Sequence, residues 1–299
     1  MKLLVLAAGI GSRFGGVKQI AGIGPRGETL LEYNVFDALR AGFDSVVFLL
    51  RRDIEADFRT RVLSRLPSSI GVEIAFQDSP ASLPARAKPW GTGHALLCAE
   101  AAVGKDAFVV VNADDFYGAR AFGRVGEYLA ESSGAGFCMA AYRLGDVVPP
   151  TGTVSRAICD IAAEGYLRGI VEKTRVARAE GRIVSFEADG SVQPLSEELP
   201  VSMNLWGLTP AVFSEARRRF GLFLKNEANL AKAEFYLPDI IGGMLADGMV
   251  RVKALRVSEP YFGLTNPEDL GHARASISSR IASGEYPDPL WGQTPGLTP

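Results

Sequence analysis

The sequence predicts an α/β fold in which a mainly parallel sheet is covered by helices on both faces. Apolar runs at residues 3–6, 45–50, 72–76 and 107–111 have the length of buried strands. Helical patterns separate these runs, the alternation that a parallel sheet requires. The first run breaks at once into glycine, and the fourth ends in Asn112-Ala113-Asp114-Asp115. Polar stretches therefore fall at strand ends, where open α/β sheets bind ligands.

The elements follow in order. Gly24-Pro25-Arg26-Gly27 is a turn, and Thr29-x-x-Glu32 is a capping box that opens a helix. Leu31, Val35, Ala38 and Leu39 share one face of that helix, and Gly42 ends it. The pattern predicts a further helix over 53–66, stopped at Pro67, and another from Thr92 to about Ala102 after a Pro- and Ala-containing loop. A helix from Ala119 to about Glu131 leads into strand candidates at 136–144, 153–161, 166–171, 183–187 and 201–208. Thr209-Pro210 starts a helix, 236–245 reads as another, and 250–257 as a strand. Asn266-Pro267-Glu268-Asp269 opens the last helix, with Asn266 as its N-cap.

Composition narrows the functional classes. A chain of 299 residues with 47% hydrophobic content has room for a sizeable core. The net charge of −2, with acids and bases interspersed, argues against a nucleic-acid or anionic-membrane partner. Cys98, Cys138 and Cys159 show no metal-ligand spacing and suit a reducing, cytoplasmic setting. With only His94 and His272, a Ser–His–Asp triad or a His-rich metal site is disfavoured. Met1-Lys2 and the apolar run after it resemble a signal peptide only faintly, because a glycine-rich basic loop follows immediately. No apolar run approaches the ~18 residues of a membrane span.

The chemistry starts at residues 3–19, LLVLAAGIGSRFGGVKQ. Gly9, Gly11, Gly15 and Gly16 let backbone N–H groups approach an anion, and Arg13 and Lys18 neutralise it. The glycine spacing also admits a dinucleotide fingerprint, with Arg51-Arg52 available for a 2′-phosphate. Two features oppose that reading: about twenty residues separate Leu6 from the first helix start, and the ribose-binding acid is misplaced.

The loop LAAGIGSRFGGVKQ resembles the signature of the nucleotidyltransferases that make nucleotide sugars, the NTP:sugar-1-phosphate pyrophosphorylases. Further stretches agree in order: Pro89–Ala95 (PWGTGHA), Val111–Tyr117 (VNADDFY), Gly152-Thr153, Ile170-Val171-Glu172-Lys173, Asn204-Leu205-Trp206 and Tyr236-Leu237-Pro238-Asp239. The resemblance covers most of residues 1–270 and implies a Rossmann-like, glycosyltransferase-A type fold with a mixed, mainly parallel sheet. It implies catalytic roles for Arg13, Lys18 and Lys173, with Lys173 bridging the two phosphates. It implies nucleotide binding by Leu6, Ala7, Ala8, Gly9, Gly11, Gly91, Thr92 and Asn112. Gly152, Glu172 and Asn204 would read the acceptor, and Asp114 would carry Mg2+, while Asp115 points elsewhere and is the more replaceable.

The family's second metal ligand lies near the start of the last helix, where this chain has Thr265-Asn266. That ligand is Asn266, Thr265 through a water, or absent. The family's base-reading glutamine has its counterpart in Gln77, much further upstream of the Gly-Thr segment than usual. The implied organisation is one domain over 1–284, with a nucleotide-binding half (1–118), an acceptor-binding half (119–284) and a Pro/Gly-rich tail (285–299) pinned by Trp291. No hexapeptide-repeat tail is present, and association into a homo-oligomer is left open.

The implied chemistry joins a nucleoside triphosphate, UTP or dTTP favoured, to a sugar 1-phosphate or similar acceptor, with release of pyrophosphate. A phosphomonoester with a second pKa of about 6 is already largely dianionic at neutral pH, so no general base is needed. Catalysis then rests on positioning and charge neutralisation. The alternatives are a regulatory domain that binds nucleotide without turnover and an NADP-dependent oxidoreductase.

Overall fold

The computed structural model describes residues 1–9, 17–79, 83, 86, 88–132, 136–231 and 233–292. Its parallel heart is built from β1 (Lys2–Leu6), β2 (Ser45–Leu50), β3 (Gly71–Phe76) and β4 (Phe108–Asn112), in the order β3-β2-β1-β4. Leu4 sits between Val47 on one side and Val110 on the other. β1, β2 and β4 are buried on both faces, so they read as continuous apolar runs rather than alternating ones. The helices of this half are α1 (Leu30–Arg40), α2 (Glu55–Arg61), α3 (Thr92–Cys98), α4 (Glu100–Val103) and α5 (Ala119–Glu131).

The second half extends the same sheet. It contains β5 (Asp115–Phe116), β6 (Phe137–Arg143), α6 (Leu144–Val147), β7 (Val154–Ile161), β8 (Leu167–Ala179), β9 (Arg182–Phe186) and β10 (Val192–Leu195). Then follow β11 (Pro200–Leu208), α7 (Ala211–Lys225), α8 (Glu227–Ala231), α9 (Leu237–Ala246), β12 (Val252–Arg256), β13 (Phe262–Gly263) and α10 (Asp269–Ala282). β11 docks antiparallel on β4 and carries β7-β8-β9-β10 beyond it, while β6 pairs with β11 and β12 with β6; β5 and β13 form a separate two-stranded sheet. Two apolar layers result. Leu3 and Val5 face α1, α2 and α5, whereas Leu4 and Leu6 face α3, α4, α7 and α9. Among the described residues, no helix is long and apolar enough to cross a membrane.

Several elements differ from the sequence expectation. The helix over 53–66 is reduced to α2, with 3₁₀ turns at Arg52–Ile54 and Leu63–Arg65. Ile54, Phe58 and Val62 are buried at four-residue spacing, so the helical pattern persists although the hydrogen bonding changes at both ends. The helix from Thr92 is two pieces that meet at Ala99. The strand expected at 166–171 runs on to Ala179, and β10 carries no apolar run that could announce it. Pro194 in β10 is tolerated because that strand lies at the sheet edge.

The capping box at α1 forms as read. The Thr29 N–H donates to Glu32 Oε2 at 2.8 Å, and the Thr29 hydroxyl donates to the same oxygen at 2.9 Å. The fully buried Glu32 also accepts from Arg65 Nε at 3.0 Å and from Trp291 Nε1 at 3.2 Å. Residues 285–292 thus lie against α1 rather than projecting from it. Tyr286 and Leu290 are each 1% exposed, Asp288 pairs with Arg26, and the Tyr286 hydroxyl donates to Asp37 Oδ2 at 2.7 Å.

Asp37 is buried, and burial pushes its carboxyl up from 3.8 to about 7. Between those values the native state holds a proton that the unfolded chain has lost. Stability therefore falls as pH rises through this window, with a slope approaching about 1.4 kcal/mol per pH unit. Urea unfolding of wild type and Asp37→Asn from pH 5 to 8 checks this: the variant should lose most of the decline, and an unchanged slope would refute the assignment.

Candidate active site

The site opens where β11 changes neighbour. Along one edge β11 keeps β6 from Pro200 to Gly207. Along the other it pairs with β4 over Trp206–Leu208 and with β7 at Val201 and Ser202. Asn204 sits between these two pairings, at a bulge, with φ +67. Asparagine tolerates that left-handed conformation better than other non-glycine residues. Two adjoining cavities, of about 570 and 680 Å3, fill this fork and share Thr92, Asn112 and Tyr236.

The smaller cavity lies over the ends of β1 and β4. Leu6, Ala8 and Gly9 line it from β1, Gly91 and Thr92 from the start of α3, and Asn112 and Asp114 from the end of β4. Lys18 enters from the segment after the glycine loop, and its Nζ donates to Asp114 Oδ2 in a partly buried ion pair. Gln19 Nε2 and Arg51 Nη1 each donate to the Gly9 carbonyl at 2.6 Å, fixing the peptide where β1 enters the glycine loop. Ala7 is fully buried, donates to the Leu49 carbonyl at 2.9 Å and does not line the cavity. Gly11 and Arg13 lie outside the described residues.

Gln77, remote in sequence, reaches the Gly-Thr segment. It stands just past β3, lines the same cavity and donates through Nε2 to the Gly91 carbonyl at 3.1 Å. The Thr92 hydroxyl accepts from the Leu237 N–H at 3.0 Å, tying the start of α3 to the start of α9. Behind this wall His94 is 4% exposed, and burial lowers it to about 4. It therefore stays neutral near pH 7, packed on Phe220 and beside Gln77 and Cys98.

The larger cavity is floored by a hydrogen-bond chain. Trp206 Nε1 donates to Asn204 Oδ1 at 3.1 Å, Asn204 Nδ2 to Asn112 Oδ1 at 3.1 Å, and Asn112 Nδ2 to Asp115 Oδ2 at 2.9 Å. Asp115 was expected to be the more replaceable of the two aspartates; it is 9% exposed and ends this chain. Burial and the neighbouring Asp114 push its carboxyl up to about 6. Glu172 lines the cavity from β8 and accepts from the Ser155 hydroxyl.

Besides Ala7, two expected residues are not brought to either cavity. Ile170, Glu172 and Thr174 face the larger one, so period-two alternation turns Lys173 to the opposite side of β8. There Lys173 Nζ pairs with Glu187 at 2.9 Å and donates to Gln193 Oε1 at 3.1 Å. A bridge from Lys173 to substrate phosphates is thus corrected by the strand geometry. Gly152 adopts φ +83 in the turn before β7 and lines neither cavity.

The 263–266 stretch does approach Asp114: the Leu264 N–H donates to the Asp114 carbonyl at 2.8 Å. Thr265 and Asn266 are exposed, and both of their N–H groups donate to Asp269 Oδ2 at 2.7 Å. Asn266 is therefore not the N-cap of the last helix: that position is Glu268, which makes no side-chain cap hydrogen bond, and Asp269 instead binds the two N–H groups of the turn before it. Among the described residues, no group of three or more His, Cys, Asp or Glu is placed to hold a metal.

Gly91 has φ +97, and a Cβ there would lie 2.5 Å from the Phe235 carbonyl oxygen. Phe235 and Gly93 are bound across that contact, because the Gly93 N–H donates to the Phe235 carbonyl at 2.8 Å. Gly91→Ala should therefore lower stability by about 1–3 kcal/mol, measured by urea unfolding. A variant within 0.5 kcal/mol of wild type, on the order of a neutral surface change, would contradict this geometry.

Residues 3–179, more than half of the chain, match the sequence family described as the MobA-like NTP transferase domain. No curated protein matches the chain. Among solved structures, a Bacillus anthracis protein assigned as a glucose-1-phosphate thymidylyltransferase, in complex with a sucrose, is similar over 92% of this chain and 94% of that one, with a TM-score of 0.61 and 15% identity. That likeness shows a shared fold. The glycine-rich first strand end, the Lys18–Asp114 pair and the paired cavities sit within that fold, and the chain belongs to the MobA-like NTP transferase family, as a nucleotidyltransferase.

Proposed function

We propose that the protein transfers a nucleotidyl group from a pyrimidine nucleoside triphosphate, UTP or dTTP, to a sugar 1-phosphate or similar phosphorylated small molecule, releasing pyrophosphate. The observation that carries this reading is the pair of adjoining cavities that share Asn112, with Lys18 and Asp114 in one and Glu172 and Asn204 in the other. The smaller takes the triphosphate. Leu6, Ala8, Gly9, Gly91 and Thr92 shape its walls, and Gln77 stands at the base edge. Arg13 and Lys18 hold the β- and γ-phosphates, neutralising charge that builds on the leaving pyrophosphate.

The larger cavity takes the acceptor, with Asn204 and Glu172 reading its body. The acceptor phosphate attacks the α-phosphorus in line, its own dianion serving as nucleophile. The oxygen donor that would hold a metal here is the Asp114 carboxylate, which Lys18 also binds. Such a donor fits magnesium, which takes one or two carboxylates and completes its shell with phosphate and water. Bound there, magnesium would supply charge neutralisation on the triphosphate. The free thiols of Cys98, Cys138 and Cys159 suit a cytoplasmic setting.

A thermal-shift screen of nucleoside triphosphates with magnesium, followed by pyrophosphate release across a panel of phosphorylated acceptors, tests the reading. Triphosphate binding with no release for any acceptor would favour a regulatory domain instead, and binding of NADP without triphosphate would favour an oxidoreductase. Lys18→Ala should cost about 2–4 kcal/mol of transition-state stabilisation, seen in kcat/KM. Lys173→Ala, on the far side of β8, should stay within about threefold of wild type, a change of less than ~0.7 kcal/mol. A drop below tenfold for Lys18→Ala, or a large loss for Lys173→Ala, would reverse these assignments.

A further inference from the structure

The larger cavity carries an unbalanced charge. Its walls hold the carboxylates of Asp115, Glu172 and Asp239 and one cation, Arg156. The Arg156 guanidinium is committed elsewhere. Nε donates to the Val147 carbonyl at 3.1 Å, Nη2 donates to the same oxygen, and Nη1 donates to the Ser155 carbonyl at 2.7 Å. Lys173, next to Glu172 in sequence, is bound to Glu187 on the other side of β8.

Asp239 is exposed at the cavity rim, forms no ion pair among the described residues, and has its carboxyl pushed up by desolvation. Tyr236 lies among these acids. Burial first, then the hydrogen bond its hydroxyl donates to Glu234 and the charges of Glu234, Asp239 and Glu172, raise its phenol above the ordinary value. Tyr236 and Tyr261 supply aromatic wall.

A phosphomonoester brings nearly two negative charges of its own. Beside three carboxylates and a committed arginine, a body of neutral hydroxyls can donate hydrogen bonds but leaves that repulsion standing. A body with an ammonium group changes the sign of the interaction. It pairs with the carboxylates, and tyrosine faces attract a cation as well.

We infer that the acceptor is a phosphomonoester whose body carries a cationic amine, held between Glu172 and Asp239. This inference rests on the nucleotidyltransferase reading of the cleft and names its acceptor class. Glu172 and Asp239 are then the specificity residues, and they discriminate by charge more than by shape.

Calorimetric titration tests it, with magnesium and the α,β-methylene analogue of the triphosphate that gives the largest thermal shift. One arm compares glucosamine 1-phosphate with glucose 1-phosphate and N-acetylglucosamine 1-phosphate; the other compares phosphoethanolamine with 2-hydroxyethyl phosphate. The amine should bind at least tenfold more tightly than its neutral partners in one arm, which also tells an amino sugar from an amino alcohol. Asp239→Asn and Glu172→Gln, each checked for a folded thermal transition, should each narrow that ratio at least fivefold. Neutral partners that bind as well as the amines in both arms, or amines that do not bind at all, overturn the inference. Pyrophosphate release is scored separately. Release with neutral acceptors alone overturns the acceptor class and leaves the transferase reading intact, whereas release with none counts against the transferase reading while the binding ratio still decides the acceptor class.

Discussion

β11 holds two different neighbours along one of its edges, and the cleft exists because of the point at which it changes them. Up to Ser202 that edge belongs to β7, and from Trp206 it belongs to β4. β4 and β7 both run antiparallel to β11, and they pair with it on either side of Asn204. The bulge at Asn204 lies at that change, and its side chain spans the gap to Asn112 at the tip of β4. Both cavities are therefore founded on the same amide pair. Asn112 and Asn204 are held by the well-buried strands β4 and β11, a setting in which positioning contributes to rate.

Much of this was legible in the sequence, for reasons that can be named. Buried parallel strands leave continuous apolar runs, so β1, β2 and β4 announce themselves. Asp114 could be found because it follows such a run directly. Glu172 and Lys173 could not be told apart: β8 is partly exposed on both faces, so its composition does not reveal which side chains turn inward. Asp115 does point away from Asp114, into the larger cavity, but the sequence alone could not show where. Its orientation is set by the antiparallel pairing of Gly263 with Asp115, a contact between distant parts of the chain. Gln77 is the opposite case, a residue that looks misplaced along the chain and is delivered to Gly91 because β3 runs parallel to its neighbours.

The scarcity of histidine also acquires a physical sense. His94, the one histidine near the cleft, is neutral and wedged against Phe220, so it serves packing and hydrogen bonding. The polar groups that line the two cavities are amides, hydroxyls, carboxylates and the cations Lys18, Lys88 and Arg156. Such a set orients and balances charged partners without moving protons, in keeping with a reaction whose nucleophile arrives already ionised.

The clasp between Tyr286 and Asp37 joins residues 249 positions apart. During synthesis α1 emerges long before its partner, with the carboxyls of Glu32 and Asp37 facing a surface that has not yet been made. Until Tyr286, Leu290 and Trp291 arrive, the outer face of α1 is an apolar patch studded with two acids, a surface suited to a chaperone and poorly suited to solvent. The helix nearest the start of the chain is thus completed by residues near position 290.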